Sequence, residues 1–455
     1  MPPRFPHRRQ GGGVAIMVAL SLLVLLALVG LVIDGGLAYL VKARLNAAVD
    51  SAALAAARAV PAGNNQTEQA ASARTAAAEF FAANIPANYL LSTPTLLGTE
   101  VTFDAGTVTI DVNAEAPMPV SLMQVLGFSG LTPRAYAQTI RRDLDMAFVV
   151  DNSGSLYDNR VAVRAAAKSF LNKFNVTQDR VALIQFGSGA EVDNPINTSA
   201  RGFNRTSMLS KIDGYSFPGT TSSVEGMWHA RDQLNSIPLI NRSAMRVIVF
   251  FSDGAPTGFG SFLTFNSASD CKDSAGNPMP GVMNNDGEGL YKLNDSNPVA
   301  ISNCDIYRNG ALNVKKLPDF YNAHNAAGNP NDPARREFPI VTNSPRVVTA
   351  DLTLSSYIQN VDRASRNLPE AVAAKARDEG IFVFTLGMGS SLKAKSGVDG
   401  EIGENLLKCM ANVPEGPTRC YNPKKPVGMY CFAATEADLT PCFSRLASAI
   451  LRISK

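Results

Sequence analysis

Met146-Ala147-Phe148-Val149-Val150-Asp151-Asn152-Ser153-Gly154-Ser155 is an apolar run that ends on a carboxylate and two hydroxyls. Five apolar residues in succession read as a strand buried on both faces, as strands of a parallel sheet are. Behind it Val163, Ala166, Ala167, Phe170, Leu171 and Phe174 fall at i, i+3, i+4, i+7, i+8 and i+11, one apolar helix face. Further strands read at 181–186, 246–251 and 381–386, separated by helical stretches at 224–234 and 367–378. Strands alternating with helices imply a mostly parallel sheet covered on both faces, a doubly wound α/β domain over residues 143–455. At its end, Thr435-Glu436-Ala437-Asp438 is a capping-box-like start, and Leu439, Phe443, Leu446 and Ile450 repeat along one face of a last helix.

In open α/β sheets ligands bind beyond the carboxyl ends of the strands, where Asp151, Ser153 and Ser155 stand. The strand at 246–251 ends likewise in Ser252-Asp253-Gly254, and Gly219-Thr220-Thr221-Ser222 opens a helix between the two. The three loops converge if their strands are neighbours. A few hard oxygen donors, with no histidine or thiolate among them, suit magnesium, which keeps several waters and leaves room for an outside ligand. Each loop alone reads as a turn with a helix N-cap. Three together read as a metal site.

From Ala255 to about Ser356 the pattern dissolves into a stretch rich in Asn, Gly, Pro and Asp, too long for an ordinary loop, and reads as an insertion. Asn284-Asn285-Asp286-Gly287-Glu288 within it lacks the spacing of an EF-hand and reads as a solvated turn.

Upstream, Val14 to Ile33 carries no charge and only Ser21 as a polar side chain. At about 1.5 Å per residue it spans a hydrocarbon core of about 30 Å, so it reads as a transmembrane helix. Its length exceeds the h-region of about 7 to 15 residues of a cleaved signal peptide. Arg4, Arg8 and Arg9 precede it in a basic head over 1–13, and Asp34 follows, which puts the N-terminus in the cytoplasm and the bulk outside the inner membrane, in the periplasm or beyond. Residues 34–142 read as Ala-rich helices at 39–60 and 68–84 broken at Pro61-Ala62-Gly63-Asn64-Asn65, then a hairpin with Val101, Phe103, Val108, Ile110 and Val112 around Asp104-Ala105-Gly106.

All six cysteines, Cys271, Cys304, Cys409, Cys420, Cys431 and Cys442, lie on the expected external side, so disulfides are expected; six allow 15 pairings, and the sequence leaves the pairing open. A zinc site is disfavoured, since no Cys-x-x-Cys occurs and His7, His229 and His324 are scattered. The 455 residues carry 42 Lys+Arg against 39 Asp+Glu, a net charge of +3 that excludes the large basic excess of a dedicated nucleic-acid binder. At 45% hydrophobic the chain is also too apolar for a disordered protein.

Asp151-x-Ser153-x-Ser155, then a Thr, then Asp253 in Ser-Asp-Gly resembles the metal-ion-dependent adhesion site of von Willebrand factor A domains. That family's Gly-Gly-Thr-Asn, with a glycine five places after the Thr, aligns on Thr221 with Gly226 and leaves Thr220 in reserve. The resemblance implies a divalent cation, magnesium or manganese, held by Asp151, Ser153, Ser155, Thr221 and Asp253, with an open position for an acidic side chain of a protein partner. The N-terminal portion, from the glycines at 11–13 through the apolar run, Asp34-Gly35-Gly36 and Lys42 to Ala57, resembles TadE/TadG-like proteins of Flp pilus assembly. It lacks the glutamate five residues after the last glycine, where Val18 stands, so prepilin-type processing is not implied. The expected function is that of a membrane-anchored, non-enzymatic component of pilus assembly or adhesion. An adhesin without a pilus connection and a magnesium-dependent hydrolase remain as alternatives; for the latter no Gly-x-Ser-x-Gly, His-Glu-x-x-His or P-loop is present.

Overall fold

The computed structural model describes residues 13–60, 66–104, 107–243 and 245–453, and the chain divides after Arg141 into two units. Residues 1–12 of the basic head, the break at 61–65 and the turn residues Ala105 and Gly106 lie outside the described residues.

In the first unit the apolar run does not end as an element at Ile33. It continues as one helix, α1 (Gly13–Ala59), because no proline intervenes and alanine, the best helix former, dominates the distal half. Val14 to Ile33 exposes nearly all its large apolar side chains and is long and apolar enough to cross a membrane. Beyond it, Val41, Leu45, Ala48, Val49, Ala52 and Ala56 pack with Ala73, Ala77 and Phe81 of α2 (Gln66–Asn84). The small side chains are therefore a helix–helix contact rather than a bare stalk. Beneath them β1 (Thr95–Asp104) and β2 (Thr107–Glu115) form the expected antiparallel hairpin, with Val101 opposite Ile110 and Phe103 opposite Val108. β3 (Arg134–Arg142) completes a three-stranded sheet.

The main sheet of the second unit has six strands, β4 (Leu144–Asp151), β5 (Arg180–Phe186), β6 (Ala190–Asn194), β7 (Met245–Ser252), β10 (Ile381–Met388) and β11 (Tyr430–Ala433), two insertion strands being numbered β8 and β9 below. Their order across the sheet is β11-β10-β7-β4-β5-β6, parallel throughout except β6. The chain winds outward from β4 through β5 and β6, then returns to the other side of β4 with β7. That reversal makes β4 and β7 the topological switch point.

Alternate residues of each strand feed opposite cores, as a pleat requires. Met146, Phe148 and Val150 of β4 join α3 (Arg160–Leu171), α4 (Arg205–Asp213) and α8 (Glu436–Ile453). Ala147 and Val149 join α5 (Ser223–Ser236), α6 (Leu354–Asp378) and α7 (Gly403–Ala411). The expected faces of α3 and α8 are the buried ones, and Asp438 accepts hydrogen bonds from the amide and hydroxyl of Thr435 at the start of α8. The short elements α4, α7, β6 and β11 carry too few periodic residues to be legible beforehand.

The insertion gives way to α6 at Leu354, behind a capping box of Thr353 and Ser356. It is packed rather than loose: Phe259, Val282, Met283, Ile306, Leu317, Tyr321 and Ile340 are buried in the core shared with α5 and α6, and β8 (Gly258–Ser261) pairs with β9 (Gly281–Asn284). All six cysteines are bridged, Cys271 to Cys304, Cys409 to Cys420 and Cys431 to Cys442.

Candidate metal centre

Asp151 is the last residue of β4, and Asp253 follows the last residue of β7, so the switch point sets two carboxylates side by side. The first loop folds back on itself: the Ser153 amide donates to Asp151 Oδ1 at 2.8 Å, and Ser153 Oγ and Ser155 Oγ stand 3.2 Å apart. Ser155 Oγ then donates to Asp253 Oδ1 at 2.8 Å, while Ser252 Oγ donates to Asp151 Oδ2 at 2.6 Å. Asp151, Ser153, Ser155 and Asp253 thus form one continuous chain of contacts across the two strands.

The middle loop is pinned on both sides. The Gly154 amide donates to the Gly219 carbonyl at 3.0 Å, which ties it to the first loop. The Thr257 amide donates to the Thr221 carbonyl at 2.8 Å, which ties it to the third. Thr221 Oγ1 lies 3.9 Å from the position a Cβ would take on Gly254, beside Asp253. Thr220 turns the other way, its hydroxyl 3.3 Å from Ser188 Oγ. Gly226, five residues after Thr221, is where α5 touches the sheet: a Cβ there would stand 2.9 Å from Phe186 Cδ1 and Val149 Cγ1.

Two buried carboxylates this close, with no ion pair to either among the described residues, resist ionising together. Burial pushes Asp151 up to about 6 against the opposing hydrogen bonds of Ser153 and Ser252. Burial, then repulsion by Asp151, pushes Asp253 up to about 7. Buried acidic oxygens flanked by hydroxyls and lacking a basic partner are the donor set of a hard divalent cation, so the residues present fit such an ion.

Several contributors carry no sequence signal of their own. Ser252 was part of the third loop but not a site candidate, and it is the hydroxyl that holds Asp151. Asn152, buried, donates to Gln185 Oε1 at 3.0 Å and Ser296 Oγ at 3.3 Å and accepts from the Phe217 amide at 2.6 Å. Ser296 belongs to the insertion, whose residues 293–296 also receive the amides of Ser188, Gly189 and Ala190. The insertion therefore borders the site loops.

The histidines also differ from expectation. His229 and His324 are not scattered: their rings lie 5.0 Å apart, with His324 stacked on Trp228 at 3.5 Å. His324 Nε2 is 3.0 Å from Glu225 Oε2, and Glu225 also accepts from the Gly260 amide at 2.7 Å and Tyr321 Oη at 2.8 Å. Burial raises Glu225, but the hydrogen bond and charge of His324, together with the hydrogen bonds of Gly260 and Tyr321, outweigh it and hold the carboxyl below its ordinary value. This buried carboxylate fastens the insertion to the first turns of α5. Burial holds His229 down at about 4.

The von Willebrand factor type A domain family model matches residues 145–297, and the Flp pilus-assembly TadE/G-like family model matches residues 12–59. Among solved structures, the pilus adhesin SpaC from Lactobacillus rhamnosus GG in its open conformation is 14% identical with a TM-score of 0.38, covering 80% of this chain and 34% of that one. The chain thus spans about a third of the length of SpaC. The vWF domain of the type V pili tip protein Mfa5 from Porphyromonas gingivalis is 16% identical with a TM-score of 0.40, covering 70% of this chain and 98% of that one. Proximal thread matrix protein 1 from the mussel byssus, with a zinc-occupied MIDAS motif, is 12% identical with a TM-score of 0.32, covering 68% and 46%. On the two family matches and the switch-point sheet, the chain joins a TadE/G-like N-terminal segment to a von Willebrand factor type A domain.

Proposed function

We propose that this protein is anchored by Val14–Ile33 in the inner membrane, with its N-terminus cytoplasmic, and serves Flp pilus assembly or pilus-linked adhesion by binding a protein partner through its α/β domain. Asp151, Ser153, Ser155, Thr221 and Asp253 hold one divalent cation, magnesium or manganese. The bound cation supplies positive charge and an open coordination position to an acidic side chain of the partner. What supports this most is the pairing of Asp151 and Asp253 at the ends of neighbouring strands with Ser153 and Ser155 between them. Ser252 and the Ser153 amide orient Asp151, and the Gly154–Gly219 contact holds the second loop in reach. Thr221 is the better ligand candidate because Thr220 is engaged by Ser188. The insertion residues around Ser296 form part of the rim a partner meets.

Thermal unfolding of the full chain in detergent or nanodiscs, with Mg2+ or Mn2+ against chelator, tests the site. Stabilisation by the ion that disappears in Asp151→Ala, together with loss of metal-dependent adherence by cells carrying that variant, is the expected result. No response to either ion, with adherence intact in Asp151→Ala, would leave the domain a plain scaffold. Turnover of a generic phosphate ester that Asp151→Ala abolishes would replace this reading with the hydrolase.

A further inference from the structure

Between Glu115 and Arg134 the chain carries no charged side chain. It forms a loop closed at its base by the pairing of Met118 with Leu131 and Pro119 with Gly130, and tipped by a 3-10 turn at Met123–Leu126. Gly127 takes φ +86 after that turn, a left-handed conformation that suits glycine and folds the tip back.

The loop docks on α1 at one place, the end of the apolar run. A Cβ on Gly30 would stand 2.9 Å from Leu122 Cβ, so the contact uses the absence of a side chain there. One turn later Asp34, buried, accepts the amides of Ser121, Leu122 and Met123 through Oδ2 at 3.1, 2.9 and 2.8 Å. Gly30 lies three residues, or about 4.5 Å along the helix, inside the end of the run at Ile33. The loop is therefore held at the depth where a spanning helix leaves the hydrocarbon.

Its tip then faces outward with Val125 and Leu126 each 50% exposed and Phe128 48% exposed. Those side chains are neither core nor solvated surface chemistry, and the turn that carries them is the one docked at Gly30 and Asp34, where the exposed apolar side chains of α1 end. The backbone is prepared for a medium poor in water. Besides the three amides on Asp34, those of Val125, Gly127 and Phe128 donate to the carbonyls of Leu122, Gln124 and Met123.

We propose that the loop from Val120 to Leu131 is a second membrane contact, seating Val125, Leu126 and Phe128 in the interface of the leaflet from which α1 emerges. The partner is the lipid bilayer itself, and the inference rests on the reading of Val14–Ile33 as a span. A shallow apolar wedge beside a spanning helix limits tilt and rotation of that helix and fixes the first unit against the membrane.

The test uses the full chain in liposomes whose lipids carry bromine either near the headgroup end of the acyl chains or near their ends. Phe128→Trp and, separately, Val125→Trp place a fluorophore on the tip, with the parent chain's Trp228 as baseline. Leu23→Trp places one in the middle of the span. The added emission at 128 and 125 should fall at least twofold with shallow bromine and little with deep bromine, while that at 23 shows the reverse. Deep quenching at 23 with none at 128 or 125 overturns the loop proposal and keeps the anchor. No quenching at any of the three overturns the anchor reading, and the proposal with it.

Discussion

Asp151 and Asp253 show how one pair of side chains links stability to ligand. Both carboxyls titrate well above the unfolded range of about 4, so between pH 4 and 7 the folded state binds more protons than the unfolded state. Stability contributed by these groups is then full below about pH 4 and is lost as pH rises through about 7. The metal-free protein should show this decline in a series of thermal unfolding curves, and the gain from Mg2+ or Mn2+ should be larger at pH 7.5 than at pH 5, where protons compete for the same oxygens. Asp253→Asn removes the repulsion while leaving an oxygen to accept from Ser155. In chelator at pH 7.5 that variant should be more stable than the parent, on the order of 1–2 kcal/mol, and should gain nothing from the ion. Equal or lower stability in denaturant titrations would mean that the two charges are not opposed in the folded protein.

At the scale of elements, α5 is the part whose position matters most to the site, because Thr221 and Ser222 lead straight into it. Gly226 lets this helix close on Val149 of β4 and Phe186 of β5 without a methyl group between. Gly226→Ala replaces a poor helix former by the best one, yet the overpacking costs about 1–3 kcal/mol against a propensity gain of about 1 kcal/mol. The variant should be less stable or equal, and should bind the ion more weakly because α5 is pushed off the sheet and carries Thr221 with it. Calorimetric titration with Mn2+ compares the two; unchanged affinity would show that the middle loop is positioned by its own hydrogen bonds. The same helix holds the insertion through Glu225, which adds an anchor to the short β8–β9 ladder: the buried carboxylate satisfies the Gly260 amide and the Tyr321 hydroxyl and meets the His324 ring.

Across the whole molecule, the three disulfides sit in one unit, closing separations of 33, 11 and 11 residues. In the chain-entropy model each contributes roughly 3 to 4 kcal/mol by constraining the unfolded chain. Reduction should therefore lower the unfolding temperature of the α/β unit while leaving the first unit, which has no cysteine, unchanged; two calorimetric transitions followed with and without reductant check this. What the sequence by itself determined was the class of the fold and the order of the site residues. Met146–Val150 and its sister strands are uniformly apolar because both faces are covered, and the faces of α3 and α8 repeat at the helical period over enough residues to be read. The carboxylates at the strand ends were legible for the same reason, since a polar cluster directly after a buried strand has one place to go. What only the tertiary structure decided was adjacency: that β7 lies beside β4 and brings Asp253 to Ser155, that Ser252 rather than a charged group holds Asp151, that the cysteines pair as they do, that Glu225 gathers Tyr321 and His324 from about a hundred residues away. Local periodicity reports which face of an element is buried. Which other element buries it is set by long-range packing of the whole chain, and no spacing within a strand or helix records that choice.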